Sequence, residues 1–202
     1  MRRIIIQEDI PASGELRIPK DAMVTAAARE LAAKRGVVIL EVPADQLTDL
    51  APPDRTVALG SDHGGFRMKE ALKAVLAELQ LAVRDVGVQD ESPADYPDIA
   101  EKVAGLVVSG AATRGVIVDG AGIGSAMAAN KIPGIRAALC YDKASARNSR
   151  EHNNANVLTL GGRLLTETQA ADVLRTWLVT EFAGGRHTAR IEKIWRIEER
   201  YR

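Results

Sequence analysis

The stretch VDGAGIGSAMAANK begins with an aspartate, Asp119, at the end of an apolar run. It continues with three glycines, Gly120, Gly122 and Gly124, which are typical of a loop whose backbone N–H groups face a ligand. A carboxylate beside such groups repels a bound pyrophosphate, but it suits a base that removes a proton next to a carbonyl. The stretch therefore points to enolisation, with the loop N–H groups stabilising the oxyanion that forms.

A dinucleotide site is the rival interpretation of this stretch. Gly120-x-Gly122-x-x-Ser125 approximates the Rossmann fingerprint, and Asp142 lies about 20 residues further on. The charge of Asp119 and the lack of a second domain for a hydride acceptor count against it. The glycines could also serve only a tight turn and close helix packing.

Enolisation also needs a group for hydroxyl protons and an anchor for the substrate. Asp62 and His63 follow one apolar run, His152 lies in REHNNAN, and Arg186 follows two glycines in GGRH. These residues have simpler interpretations as well, since an aspartate can cap a helix and a histidine near a helix end can cap carbonyls.

The composition limits the class of protein. A chain of 202 residues can form one compact domain plus an extension. Lys plus Arg and Asp plus Glu both number 27, so the charge indicates neither nucleic acid nor a membrane as partner. Cys140 is the single cysteine, and no apolar run is long enough to span a bilayer. The first residues turn acidic too soon for a signal peptide, so we expect a cytoplasmic protein.

From Thr56 onward, short apolar runs alternate with helical stretches, which predicts a doubly wound parallel sheet of about five strands in three α/β/α layers. Ligands of such sheets bind beyond the carboxyl ends of the strands. The final helix carries four apolar residues on roughly one face, which we expect to serve packing, including subunit packing. They are Ile191, Ile194, Trp195 and Ile197.

Residues 1–50 form a small α+β extension in this interpretation, residues 51–55 a linker, and residues 56–202 the main domain. RRIIIQED and GELRIP are predicted to pair as strands, PKDAMVTAAARELAAKRG to form a helix that ends at Gly36, and VVILEVP to form another strand.

Five blocks, in this order and spacing, resemble the type B ribose-5-phosphate isomerases and the related galactose-6-phosphate isomerase chains. They are SDHGGFRMKE, DYPDIA, DGAGIGSAMAANKIPGIRAALCYD, RNSREHNNANVLTLGGR and GGRHTAR. The resemblance covers about residues 56–202. It implies a Rossmann-like fold, no metal or other cofactor, and interconversion of an aldose phosphate and a ketose phosphate through an enediolate. It also implies a homodimer or dimer of dimers whose subunits share the active sites.

The resemblance implies a role for each matching residue. Asp62 would hold sugar hydroxyls, His63 would contact the phosphate, and Tyr96 would line the pocket. His152 would open the furanose ring, and Asn153 would bind sugar oxygens.

The phosphate and the oxyanion have their own matching residues. Arg163, with Arg186 and Arg190 reaching across from the partner subunit, would bind the phosphate through paired, charge-assisted hydrogen bonds. Gly120, Gly122 and Gly124 would form the oxyanion hole.

Three positions depart from the family pattern. Asp119 stands where one branch has a cysteine base, Ala121 where that branch has threonine, and Ser125 where another branch has glutamate. Cys140 lies inside a predicted strand and does not replace the missing cysteine. We therefore predict Asp119 as the base. An aspartate here resembles one of the galactose-6-phosphate isomerase chains, which leaves the sugar open.

Three functions follow. The first is a ribose-5-phosphate isomerase of the pentose phosphate pathway, and the second is an isomerase of galactose or allose 6-phosphate. The third is a non-catalytic sugar-phosphate-binding subunit of a hetero-oligomer.

The segment VTAAARELAAKRGVVI in the extension weakly resembles segments on enzymes packaged in bacterial microcompartments. It also resembles subunit-binding modules of 2-oxo acid dehydrogenase acyltransferases. Both suggest docking to a partner or a microcompartment shell; the alternative is a subdomain that only stabilises the oligomer.

Overall fold

The structure, a computed structural model, describes residues 4–5, 9–20, 22–42 and 56–201. The chain divides into two compact units, residues 1–53 and 54–202.

The described residues of the first unit contain two parallel strand pairs. Strand β1 (Ile4–Ile5) pairs with β3 (Met23–Val24), and β2 (Glu15–Pro19) pairs with β4 (Val38–Val42). The prediction that the first two strands pair with each other is therefore wrong. The intervening helix supplies the long crossover that a parallel β2–β4 pair requires.

Helix α1 (Ala26–Arg35) of this unit is bounded by two capping residues. The Thr25 hydroxyl accepts a hydrogen bond from the N–H of Ala28, and Gly36 ends the helix with φ 66°. The end at Gly36 is as predicted, but the helix begins later than predicted because β3 precedes it. A separate small core lies beneath it, formed by Ile5, Ile10, Ile18, Ala28, Ala32 and Val37.

A five-stranded parallel sheet forms the centre of the second unit. Its strands are β5 (Val57–Ser61), β6 (Val83–Asp85), β7 (Arg114–Asp119), β8 (Ala137–Leu139) and β9 (Val157–Gly161), in the order β6-β5-β7-β9-β8. The central strands β5, β7 and β9 are almost wholly buried, which explains their near-continuous apolar sequences. The predicted α/β sheet is confirmed.

Among residues 56–201, six α-helices complete this unit in three layers. They are α2 (Phe66–Glu78), α3 (Tyr96–Val108), α4 (Ile123–Ala129), α5 (Lys143–Glu151), α6 (Glu167–Val179) and α7 (Thr188–Arg200). One core lies between the sheet and α2, α5 and α6, and another between the sheet and α3 and α4. In the part of the chain that the structure describes, no helix has the length and apolar character needed to cross a bilayer.

The apolar residues of α7 differ in their burial within one chain. Ile191 is buried and Trp195 is half-buried with the Arg136 guanidinium above its ring, whereas Ile194 and Ile197 are exposed. Steps of about 100° per residue place all four residues within an arc of roughly 160°, with Ile194 and Ile197 on its exposed side, so their role in subunit packing stays a prediction.

Gly65 and Gly105 offer a matched test of packing at the start of α2. A Cβ at Gly65 would overlap the carbonyl oxygen of Val118 in β7, whereas a Cβ at Gly105 in α3 would meet nothing within 4 Å. We expect Gly65→Ala to lower the free energy of unfolding by about 1–3 kcal/mol. Gly105→Ala should raise it by about 0.5–1 kcal/mol, because alanine loses less backbone entropy in a helix. Urea unfolding measures both, and equal effects of the two substitutions would contradict this packing.

Candidate active site

Three of the predicted site residues lie at the carboxyl ends of neighbouring strands. Asp62 follows β5, Asp119 ends β7, and Arg163 follows β9. Backbone hydrogen bonds join two of these segments, from the N–H of Gly162 to the Asp119 carbonyl at 2.7 Å and from the N–H of Arg163 to the Gly120 carbonyl at 3.0 Å. The structure therefore brings this group together at one edge of the sheet.

The Asp119 carboxylate is enclosed by its own glycine loop. Its Oδ1 accepts hydrogen bonds from the N–H groups of Ala121, at 2.8 Å, and of Gly122, and its Oδ2 accepts one from Ser125 at 2.9 Å. The side chain is buried, because Asp119 is only 4% exposed. The carboxylate thus supplies the negative charge that these N–H groups and the start of α4 favour.

This arrangement corrects one expectation about the loop. The N–H of Gly122 is bound to Asp119 and is not free for a substrate oxyanion, whereas the N–H groups of Gly120 and Gly124 are not engaged by that carboxylate. Gly122 itself has φ +79° and packs against Leu160 and Gly161, so glycine is needed there for the turn.

Asp62 is also buried, at 7% exposure. Its Oδ1 accepts a hydrogen bond from the N–H of Gly65 at 3.0 Å. Burial raises the pKa of Asp62 and the charge of Asp119 raises it further, while the Gly65 N–H opposes both effects. Two neighbouring carboxylates in different environments are therefore present at this edge.

His63 is attached to the segment that follows β6. Its Nδ1 lies 3.3 Å from both the backbone nitrogen and the carbonyl oxygen of Ala94. The half-buried ring is therefore held through one nitrogen, and Nε2 remains for a ligand.

Lys69, a residue that sequence reasoning missed, ties that same segment to α2. Its fully buried ammonium donates to Asp85 Oδ2 at 2.7 Å and to the Val88 carbonyl at 2.8 Å. Val88 in turn donates to the carbonyl of Ser61, the residue before Asp62, at 3.0 Å. A lysine in an amphipathic helix carries no sequence signal for such a role.

Two tyrosines contact the glycine loop. The Tyr96 ring packs against Gly124 so closely that a Cβ there would lie 2.6 Å from the ring. The hydroxyl of Tyr141 donates to the carbonyl of Ala121 at 2.8 Å. Tyr96 was expected to line the pocket, whereas Tyr141 was missed because one tyrosine at a strand end is not diagnostic.

A second group of predicted residues surrounds the end of α5 and the start of α7. His152 stacks on His187, with ring centroids 4.2 Å apart and the planes 7° from parallel. Burial lowers the pKa of His187, and the charges of His152, Arg186 and Arg190 lower it further, against the opposing charge of Glu151. Sequence reasoning noted His187 only for its motif and assigned it no role.

The two groups are separate in the contacts of one chain. No hydrogen bond or ion pair among residues 56–201 joins Asp62, His63 or Asp119 to His152 or Asn153. The exposed Arg163, Arg186 and Arg190 have no carboxylate partner within that range, so their charges are available to an anion.

A cavity of about 430 Å³ lies beside the segment that follows β6 and the first turns of α3. Three of its lining residues are acidic, Asp90, Asp95 and Asp98, and Lys102 is its only lining cation. This charge disfavours a phosphate, so the cavity is not the predicted phosphate site.

Cys140 is 1% exposed, and its Sγ lies 3.8 Å from Ser149 Oγ. Burial raises the pKa of this thiol, which makes it a small apolar core residue. Among the described residues, no three or more His, Cys, Asp or Glu side chains are grouped to hold a metal ion.

Comparison with known proteins shows the family to which the chain belongs. The sequence profile of the Ribose/Galactose Isomerase family matches residues 57–194. The chain belongs to this family of sugar-phosphate isomerases. The matched region includes β5 to β9 and excludes the first compact unit.

Individual relatives match over the same part of the chain. The putative sugar phosphate isomerase YwlF of Bacillus subtilis is 46% identical over 145 residues, which are 71% of this chain and 97% of that protein. Ribose-5-phosphate isomerase B of Escherichia coli is 40% identical over 72% of this chain and 98% of its own. The structure of ribose-5-phosphate isomerase B from Clostridium thermocellum aligns with a TM-score of 0.72 and 46% identity, covering 73% of this chain and 99% of that one.

Because the pKa of Asp62 is raised, we predict that Asp62→Asn stabilises the fold by an amount that depends on pH. A folded-state pKa above the unfolded value means that ionised Asp62 destabilises the fold at neutral pH, and that this cost disappears as the pH falls toward the ordinary pKa of an aspartate. Asparagine keeps the acceptor for Gly65. We therefore expect Asp62→Asn to raise Tm at pH 8, with the gain shrinking toward pH 4.

Asp90→Asn is the control. Hydrogen bonds from Ser92 lower the pKa of Asp90, so the expected change in Tm has the opposite sign. It should lower Tm slightly at pH 8, and this difference should also shrink toward pH 4. A pH-independent effect of Asp62→Asn, or a lower Tm at pH 8, would contradict the assignment.

Proposed function

We propose that this protein interconverts ribose 5-phosphate and ribulose 5-phosphate through an enediolate, with Asp119 as the base. The observation that carries the proposal is a buried carboxylate held by three N–H groups at the carboxyl ends of the strands, beside Asp62 and Arg163. The family supports an aldose–ketose reaction on a sugar phosphate. The relatives named for ribose 5-phosphate support this sugar.

The hydrogen bonds of Asp119 select one oxygen as the proton acceptor. A carboxylate offers about four lone pairs, and three are occupied, two on Oδ1 and one on Oδ2. The remaining lone pair is on Oδ2. In the proposed reaction, Oδ2 takes the proton from C2 of the open-chain aldose, the C–H electrons form the C1=C2 bond and O1 becomes the oxyanion. The O2 hydroxyl proton then passes to O1, the C2=O bond forms, and the C1=C2 electrons take the proton from Oδ2 at C1.

The surrounding groups have complementary roles in this proposal. The N–H groups of Gly120 and Gly124 stabilise the oxyanion, and Asp62 holds the sugar hydroxyls. His63 contacts the phosphate through Nε2, and Arg163 lies beside the glycine loop with its guanidinium unpaired among the described residues. The Tyr96 ring packs against Gly124 at one side of the loop.

We further propose that two copies of the chain share each site. The support is the lack of a hydrogen bond or ion pair between the two residue groups among residues 56–201 of one chain, together with the uncompensated charges of Arg186 and Arg190. In a homodimer, or a dimer of dimers, these arginines with His152 and Asn153 would complete the site of the partner. His152 would then open the furanose ring before enolisation.

A hexose phosphate is the second candidate substrate. Asp119 in place of a cysteine favours it, because an aspartate at this position resembles a galactose-6-phosphate isomerase chain. Incubating the enzyme in D₂O with ribose, galactose and allose phosphates, and following exchange at C2 by NMR, distinguishes these substrates. A silent binding subunit would exchange none of them.

The extension is proposed to dock the enzyme to another protein rather than to build the site. The support is that every proposed site residue lies at or after Asp62 and that the family match begins at residue 57. Its separate apolar core is consistent with an appended module. A microcompartment shell is one partner of this kind.

Asp119→Asn tests the base. The amide keeps one acceptor but places an NH₂ group against N–H donors, so we expect lower stability by about 1–3 kcal/mol. Turnover should fall about 10²–10⁴-fold, the usual loss when a general base is removed.

Ser125→Ala is the matched control for Asp119→Asn. It keeps the N–H that binds Asp119 and removes a buried hydroxyl that has no hydrogen-bond partner among the described residues. Near-normal turnover is expected in Ser125→Ala. Retained turnover in Asp119→Asn, or a comparable loss in Ser125→Ala, would argue against Asp119.

Mixed dimers test the shared site. Arg186→Ala alone should weaken binding by about 1.5–3 kcal/mol for each charged hydrogen bond lost. When an Arg186→Ala chain pairs with an Asp119→Asn chain, one of the two sites receives both intact halves. Verified heterodimers should therefore recover about half of the wild-type turnover, and no recovery would mean that each site is built within one chain.

A further inference from the structure

The hydrogen bonds around Asn148 determine which ring nitrogen of His152 carries the proton. The amide nitrogen of Asn148, in α5, lies 2.9 Å from Nδ1 of His152 one helical turn later. An amide can present either its oxygen or its NH₂ group to such a nitrogen, and the two choices select opposite tautomers of a neutral imidazole.

A backbone carbonyl settles this choice. The amide nitrogen of Asn153 lies 3.4 Å from the carbonyl oxygen of Asn148 and 3.3 Å from its Oδ1. A carbonyl can only accept, so Asn153 must present its NH₂ group. Oδ1 of Asn148 then accepts from Asn153, and the NH₂ group of Asn148 faces His152.

With an NH₂ group facing it, Nδ1 of His152 can only accept. The proton of the neutral ring is therefore on Nε2. The ring plane is fixed separately, because His187 stacks on it with centroids 4.2 Å apart. His152 is thus held both in orientation and in tautomer, by residues on α5 and just before α7.

We propose that Asn148 is a positioning residue that keeps His152 in the Nε2–H tautomer, so that the ring presents a hydrogen-bond donor to the ring oxygen of a furanose. This inference rests on the proposed function. As the C1–O4 bond breaks, its electron pair goes to O4, which accepts the Nε2–H hydrogen bond. The O–H electrons of the C1 hydroxyl form the C1=O bond, its proton leaves to water, and O4 takes a proton from water.

The chemistry of the two substrates separates this role from enolisation. Ribose 5-phosphate closes to a furanose through O4, whereas ribulose 5-phosphate cannot form a furanose because its O5 carries the phosphate. A fault in ring opening therefore lowers kcat/KM for ribose 5-phosphate. It leaves the exchange of C1 hydrogens of ribulose 5-phosphate with D₂O unchanged.

Asn148→Asp is the informative variant, since a carboxylate only accepts and selects the Nδ1–H tautomer. Arg147→Gln is its control, because it makes the same unit change in charge at the neighbouring exposed position. Long-range ¹H–¹⁵N spectra, recorded where the imidazole is neutral, report the tautomer of His152. Only three histidines are present, and His152→Gln assigns the signal.

We expect wild type and Arg147→Gln to show Nε2–H, and Asn148→Asp to show Nδ1–H. Asn148→Asp should lose about tenfold or more in kcat/KM for ribose 5-phosphate, with normal C1 exchange of ribulose 5-phosphate. The loss should be smaller than the roughly 10²–10⁴-fold of removing an acid–base group, because His152 itself is kept. An unchanged tautomer in Asn148→Asp, or a parallel loss of C1 exchange, would overturn the proposal. If wild type neither isomerises nor exchanges, the proposed function fails while the spectra still decide the role of Asn148.

Discussion

The hydrogen bonds between the Asp119 carboxylate and its own glycine loop are the interaction on which the site depends. They satisfy three N–H groups at the start of α4 that would otherwise lack partners, and they fix the turn that places α4 against Tyr96. They also explain why an acid stands in a loop that attracts anions. The carboxylate is itself the anion, and one remaining lone pair on Oδ2 leaves it able to act as a base.

The Asp119 carboxylate both holds its loop and acts as a base in this account, which has a chemical cost and a chemical benefit. A carboxylate fixed by three donors cannot rotate freely, so its reactive oxygen is pre-organised and little reorganisation is needed during the reaction. The same three hydrogen bonds occupy lone pairs of the carboxylate, so that only one is left for the proton. Nearby Asp62 lies in a different environment, where burial raises its pKa. Two carboxyl groups in different environments suit separate roles on a sugar.

Much of the fold could be predicted from sequence because apolar runs and helix caps are local signals. The five strands of the main domain, the end of α1 at Gly36 and the positions of Asp62, Asp119 and Arg163 at strand ends all follow from such patterns. The pairing of β1 with β3 could not be predicted, since strands of two residues carry almost no register information. The different burial of the apolar residues of α7 could not be predicted, because burial depends on tertiary neighbours such as Arg136.

The finer features of the site depend on the positions of individual atoms, which a sequence pattern does not determine. Engagement of the Gly122 N–H by Asp119, the buried Lys69 and the contact from Asn148 to His152 each require a distance between side chains. The motifs indicate the part of the fold in which these residues lie, but they do not determine the hydrogen-bond partners of the side chains. The sharing of a site between two copies stays a prediction for the same reason.

The most direct test of the central claim is a crystal structure of the enzyme with a hydroxamate analogue of the enediolate bound. The account predicts Asp119 Oδ2 about 3–3.5 Å from the analogue atom that replaces C2, the separation of a reactive pair, with the Ser125 N–H still donating to that oxygen. A complex in which both Asp119 oxygens face away from the sugar, with another side chain or a water beside that atom, would contradict it.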